Sequence, residues 1–216
     1  MTGDDARLEL PLVAIYADES CLGNGREGDN PGGAAGVIEH LSEKTDRLTR
    51  WDYFISEPST TNNRMALRSA IEAFRVIGRK GGVFRVLFTS DSQYLVKGMT
   101  ECVHGWAARG WRRSGGEIEN LPLWKELVEV ATPHRVQWQW VRGHAGHPQN
   151  EYANDLAVDA ARTQSDSAGA RASEFDAWLA VQREKKRVVV SPAPFPSGKP
   201  FAAARPLPRT TTVGPA

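Results

Sequence analysis

Hydrophobic and polar positions along this 216-residue chain follow two rhythms that alternate through most of its length. LVAIYAD (12–18) and FRVLFTSD (84–91) are apolar, rich in β-branched and aromatic residues, and each ends on an acid, as buried strands do. AAGVIEH (34–40), RLTRWDYFIS (47–56) and RVQWQWVRG (135–143) alternate with period two, the pattern of half-exposed strands. Between them, NNRMALRSAIEAFRVIGRK (62–80), LPLWKELVEVA (121–131) and NEYANDLAVDAAR (150–162) repeat apolar residues at helical spacing, the first closed by Gly81-Gly82. The resulting order, a three-strand meander followed by crossover helices, predicts an α/β domain over 11–163. Its core would be a mixed five-stranded sheet flanked by helices. Ligands on such sheets gather beyond strand ends near chain reversals, which draws attention to Asp18 and Asp91.

Outside that span the rhythm stops. Residues 1–10 read as a short polar arm. Residues 164–190 read as a linker and a C-terminal helix, which Ser173 would cap and which would run to about Lys186. Its Phe175, Trp178 and Leu179 would dock on the domain. From 191 to 216 the chain holds seven of its 13 prolines and only Lys199, Arg205 and Arg209 as charges, which predicts a disordered tail with polyproline character.

Composition narrows the function classes. A formal net charge of +1 excludes a uniformly basic nucleic-acid binder, so any such surface must be local. Cys21 and Cys102 are the only cysteines and stand in no metal-binding spacing, which fits a reducing, cytoplasmic setting. No apolar stretch approaches the length of a membrane span. One local cationic surface does stand out: Lys97, Arg109, Arg112 and Arg113, interleaved with Trp106 and Trp111. Such a mixture suits phosphates and flat sugar or base faces, although tryptophans so placed also serve as local core.

A strand-end aspartate alone reads as a turn former or helix cap. The surroundings of these two say more. IYADESCLGN with NPGGAAG, TTNNRM (60–65), FTSDSQYLVKG, GWAARGW (105–111) and WVRGHAGHPQNEYANDLA (140–157) together resemble ribonuclease H type 1 of the bacterial kind, in order from about residue 12 to 162. The resemblance implies an endonuclease that cuts the RNA strand of RNA–DNA hybrids, leaving 5′-phosphate and 3′-hydroxyl ends. It implies two Mg²⁺ ions, with Mn²⁺ as a substitute, held by four carboxylates, and a monomeric protein whose proline-rich tail has no assigned partner. Asp18 and Asp91 match the first and third carboxylates, and His144 matches a mobile histidine that assists proton transfer or product release. Thr61, Asn62, Asn63 and Gln93 match positions that contact the hybrid's backbone and 2′-hydroxyls, and Cys21 and Asn24 match neighbouring groove contacts. The 97–113 segment matches the protrusion that grips the DNA strand.

Two positions depart from the family pattern. Ala66 stands where a glutamate is expected and Asn154 where an aspartate is expected. Removing a carboxylate ~4 Å from a divalent ion forfeits several kcal/mol at an effective dielectric near 20. Acids lie next to both kinds of position: Glu19 follows Asp18, where the family usually has glycine, and Asp155 follows Asn154. Both are candidate metal ligands, while Asn154 keeps an uncharged oxygen donor. GREGDN (25–30) is an apparent insertion beside the site. Two readings follow: a nuclease with a remodelled carboxylate set, or an inactive module that grips hybrids without cutting them.

Overall fold

The computed structural model describes residues 10–23, 30–185, 191–197 and 200–208. Its sheet is built from β1 (Leu12–Cys21), β2 (Gly32–Ser42), β3 (Arg47–Glu57), β4 (Arg85–Ser90), β5 (Arg135–Trp140) and β6 (Arg171–Ala172). The spatial order is β5-β4-β1-β2-β3-β6. The first three strands form an antiparallel meander, and β4 and β5 lie parallel to β1. The sheet thus has six strands rather than the expected five. The additional strand is a two-residue return that pairs Ala172 with Trp51 and Arg171 with Asp52, too short to leave any alternation in the sequence.

Among the described residues six helices accompany the sheet: α1 (Asn62–Gly78), α2 (Gln93–Lys97), α3 (Val103–Ala108), α4 (Leu121–Ala131), α5 (Pro148–Thr163) and α6 (Phe175–Glu184), with a π-helical turn at Gly98–Cys102 joining α2 to α3. Strand parity divides the core. Val13, Ile15 and Ala17 of β1 pack with Leu67, Ala70, Ile71 and Phe74 of α1 and with Trp124 of α4. Ala14 and Tyr16 point the other way, to Tyr152 of α5 and Phe175 and Leu179 of α6. Burying each large apolar side chain contributes roughly 1.5–3 kcal/mol, so each face is anchored independently. Helix α5 approaches β2 so closely that a Cβ on Gly33 would overlap the carbonyl oxygen of Ala157 and the amide of Ala161. That contact accounts for Gly33 and for the alanine row Ala153, Ala157, Ala160 and Ala161 on the facing helix.

The residues that follow α5 depart from expectation. Residues 164–174 are no free linker. Ser167 exchanges hydrogen bonds with the backbone of Phe54, and Asp166 accepts from the Ser56 amide at 2.7 Å. Helix α6 begins at Phe175 with Glu174 at its cap position, one residue beyond the expected cap Ser173, whose hydroxyl accepts from the Phe175 amide at 3.1 Å, and its Phe175–Trp178–Leu179 face docks on Tyr152. The described tail residues, expected to be disordered, lie on the domain. Phe195 packs against the cluster that holds Tyr16 and Tyr152, and Ala204 and Leu207 pack against the other core cluster. The Ala204 amide donates to the Val136 carbonyl at 2.7 Å. Apolar residues spaced between prolines find partners here, and proline's fixed φ lowers the entropic cost of ordering them. No helix among the described residues is long and apolar enough to cross a membrane.

Candidate active site

Parallel pairing sets the site. Ala17 lies opposite Ser90 in the β1–β4 register, so the residues that follow, Asp18 and Asp91, emerge side by side at the same end of the sheet. Glu19 joins them: one carboxylate oxygen from each of Asp18, Glu19 and Asp91 lies within 4.8 Å of the others. Parity accounts for how Glu19 arrives. It continues the Val13–Ile15–Ala17 row of β1, which faces α1, and Ala66 of α1 is buried in that same cluster. A carboxylate supplied from β1 and a small residue on α1 therefore belong to one arrangement.

Asp18 is held at both oxygens. The Glu19 amide donates to Oδ1 at 2.7 Å, and Asn150 Nδ2 donates to Oδ2 at 3.1 Å and to the Ala17 carbonyl at 3.3 Å. Asp91 is fixed through its backbone, whose carbonyl accepts from Trp140 Nε1 at 2.9 Å, and through Gly143, where a Cβ would collide with the Asp91 carboxylate. Among the described residues no lysine or arginine is ion-paired with the three acids. Burial, then repulsion from Asp91, pushes the Asp18 carboxyl up to about 8, against the opposing hydrogen bonds from the Glu19 amide and Asn150. Burial and both aspartates push Glu19 well above the usual carboxylate range, and the Ser92 hydroxyl opposes them. Burial likewise raises Asp91, which His144 lowers and Glu151 raises.

His144, whose charge bears on Asp91, sits on a backbone with φ of 51°, its side chain largely exposed and its Nδ1 3.8 Å from Glu151 Oε2. The other Glu151 oxygen accepts from the Gly146 amide at 3.4 Å. Asn150 and Glu151 carry no role in the sequence reading, although both lie in the HAGHP-x-NE string and Asn150 precedes Asn154 by one helical turn. Asn154 is half-buried on that same face of α5. Asp155 does not join the cluster. One residue further on, the helix has rotated by ~100°, and the exposed Asp155 carboxylate accepts from Trp178 Nε1 at 2.8 Å instead.

The candidate binding residues are spread around this centre. Thr61 caps α1, its hydroxyl accepting from the Arg64 amide at 3.3 Å, with Asn62 and Asn63 half-buried behind it. Gln93 is exposed at the start of α2, and Cys21 is half-buried at the end of β1. Asn24 and most of the GREGDN insertion lie outside the described residues. Lys97, Arg109, Arg112 and Arg113 are exposed. Trp106 and Trp111 differ from them: both are half-buried against the core, Trp106 edge-on to Trp124 at 5.5 Å and Trp111 beneath the Lys125 ammonium at 5.8 Å. They stiffen the protrusion more than they present free faces. The turn between them places Gly110 and Trp111 at φ of 66° and 63°, closed by a 2.7 Å bond from the Trp111 amide to the Trp106 carbonyl.

Comparison with known proteins matches residues 11–162 to the family model described as RNase H. The chain belongs to the ribonuclease H family. Ribonuclease H of Pelobacter propionicus is 43% identical over 149 residues, covering 68% of this chain and 83% of that protein. That of Chromohalobacter salexigens is 42% identical over 159 residues, covering 73% and 88%. Among solved structures, the crystal structure of LC9-RNase H1, described as a type 1 RNase H with the type 2 active-site motif, is 54% identical with a TM-score of 0.88. That match covers 97% of this chain and 99% of the other. Ribonucleases H are divalent-metal-dependent endonucleases acting on RNA–DNA hybrids, and this chain carries their fold over the whole of its catalytic span.

Proposed function

We infer that this ribonuclease H cleaves the RNA strand of hybrids with a relocated carboxylate, Glu19 of β1 acting in place of the acid absent from position 66 of α1. The observation that carries this is the convergence of Asp18, Glu19 and Asp91 within 4.8 Å, with Ala66 buried on the face that Glu19's strand row shares. The description of LC9-RNase H1 as a type 1 enzyme with the type 2 active-site motif supports the same reading. The acids also fit divalent ions: they are hard oxygen donors, crowded and partly buried, with no lysine or arginine paired to them among the described residues. Asp18, Glu19 and Asp91 would hold Mg²⁺ or Mn²⁺, with the Asn154 amide as a neutral fourth donor. When bound, such ions stabilise charge on the phosphate oxygens and raise the acidity of the attacking water.

The remaining work belongs to the chain. Asn150 and the Glu19 amide keep Asp18 from rotating. His144, steadied at Nδ1 by Glu151, offers Nε2 for proton traffic on the solvent side. Thr61, Asn62, Asn63, Gln93 and Cys21 line the approach, where hydroxyl and amide groups suit the donor-and-acceptor character of a 2′-OH. Lys97, Arg109, Arg112 and Arg113 neutralise phosphates of the DNA strand, so hybrid affinity falls steeply with salt. Cleavage of a labelled RNA–DNA hybrid with Mg²⁺ or Mn²⁺, by the parent and by Glu19→Gln, tests the reading. Loss of ~10²–10³-fold in kcat with hybrid binding kept is the expected result. Undiminished cleavage by Glu19→Gln removes Glu19 from the site, and a parent that binds hybrids without cutting at any metal concentration sustains the inactive-module reading.

A further inference from the structure

The first turn of α5 has two consecutive residues with different correspondents. Gln149 is completely buried, and its amide pairs at two points with one residue of the C-terminal tail: Nε2 donates to the Ala193 carbonyl at 2.8 Å, and the Ala193 amide donates to Oε1 at 3.1 Å. The next residue, Asn150, is equally buried and spends its amide on Asp18 Oδ2 and the Ala17 carbonyl. The turn that carries both is otherwise anchored by His147, which accepts from the Asn150 amide at 3.5 Å and packs its ring 5.3 Å from that of Tyr16. Phe195, two residues beyond Ala193, joins the cluster of Tyr16 and Tyr152, so apolar contact holds the tail where its backbone meets Gln149.

A reciprocal donor–acceptor pair on one amide is the arrangement by which a strand fixes its neighbour, and it specifies distance and rotation together. Within a helix, rigid backbone dihedrals couple the pose of residue 149 to that of residue 150. We propose that Ala193 and Gln149 are positioning residues for the reaction: the tail clamps the first turn of α5 and thereby sets the Asn150 amide against Asp18. The proline-rich segment is then part of the catalytic unit, although it lies outside the span that matches the family model. The clamp rests on the assignment of Asp18 to the metal site. Its chemistry is modest and specific, since a misplacement of about 1 Å in a supporting group costs up to ~10²-fold in rate.

Two full-length variants test it. Ala193→Pro removes one donor within a run that already reads Pro192-Ala193-Pro194, and Gln149→Met removes both bonds, together with the amide that stabilises the buried Glu39 carboxylate, at nearly constant volume. Each is expected to lower kcat about tenfold, to leave KM for the hybrid within about twofold, and to weaken Mn²⁺ binding measured by calorimetry without hybrid. Combined with Asn150→Ala, Gln149→Met should add nothing further, because both act through one contact. A variant that lowers the melting temperature but keeps kcat and Mn²⁺ affinity overturns the proposal, as does full additivity with Asn150→Ala. Asp18→Asn serves as the separate control. If that variant binds Mn²⁺ and cleaves like the parent, the metal-site assignment fails, whereas a dead Asp18→Asn beside a fully active Gln149→Met rejects the clamp alone.

Discussion

Two groups of buried acids sit on one sheet, and they are treated in opposite ways. On β2 and β3, Glu39 and Asp52 are fully buried, each partnered through one oxygen: Glu39 Oε1 accepts from Arg50 Nε at 2.7 Å, and Asp52 Oδ2 accepts from the Tyr152 hydroxyl at 2.6 Å and the Glu174 amide at 3.2 Å. Glu39 Oε2 and Asp52 Oδ1 have no hydrogen bond among the described residues. On β1 and just beyond β4, Asp18, Glu19 and Asp91 are gathered with only hydrogen-bond donors and His144 to offset them. The first group braces the sheet against α5 and α6. The second is a concentration of like charge that the fold tolerates rather than satisfies. Perturbed acids are thus no marker of a site by themselves, since burial raises all five; what separates the groups is that three carboxylates converge in one with no lysine or arginine paired to them among the described residues, whereas in the other Glu39 is paired with Arg50 and Asp52 with the Tyr152 hydroxyl.

Neutralising one acid of the Asp18–Glu19–Asp91 group has the largest expected effect. Asp18→Asn is expected to cost at least ~10²–10³-fold in kcat while raising the melting temperature of the metal-free protein at pH 8, because it removes a repelling charge. A variant that is both inactive and less stable would contradict this account. Next in size is the pH dependence. The Asp18 carboxyl lies at about 8 in the fold against 3.8 ordinarily, so the folded chain binds a proton that the unfolded chain releases. That contribution to stability is complete below pH ~4 and is lost as pH rises toward 8. Thermal melts in EDTA should fall by ~10 °C between pH 5 and 8.5, and Mg²⁺ should recover much of the loss at pH 8.5. Glu39 and Asp52 are raised too and contribute the same sign, but Mg²⁺ has no means of recovering their share.

Asp52→Asn probes the compensated group. It leaves a buried network mismatched and is expected to cost ~1–3 kcal/mol, read as a lower melting temperature, with kcat per folded molecule retained. The smallest effect is reserved for Asp155→Ala. Its exposed bond to Trp178 predicts a change within ~0.5 kcal/mol, and normal cleavage by that variant would agree with an acid that faces away from the cluster.

The pattern of strands and helices was legible because each core segment is long enough to show its period, and the meander and crossover order left few topologies. The two-residue β6 and the docked tail were not, since neither carries a period and the tail's composition resembles that of solvated chain. At the site, Asp18 and Asp91 announced themselves as strand ends. Glu19 was visible only as an anomaly beside Asp18, because whether a residue at a strand terminus turns inward depends on where β4 and α1 lie. Asp155 misled for a related reason: adjacency to Asn154 in sequence is a ~100° rotation in a helix. Asn150 could have been found by taking the face shared at i and i−4 from Asn154 and asking what buried acid it meets.

The outermost strand of a sheet is ordinarily a template on which another molecule can add a strand of its own. In this ribonuclease H the vacancy on the β5 flank is filled from within, by the Ala204 amide on the Val136 carbonyl, and the β3 flank is filled by β6 and by Ser167 on Phe54. Both docking places are occupied by residues that the chain makes after its catalytic domain. Protection from self-association is therefore synthesised after the sheet that needs it, and until those residues emerge the nascent domain presents both flanks to its neighbours.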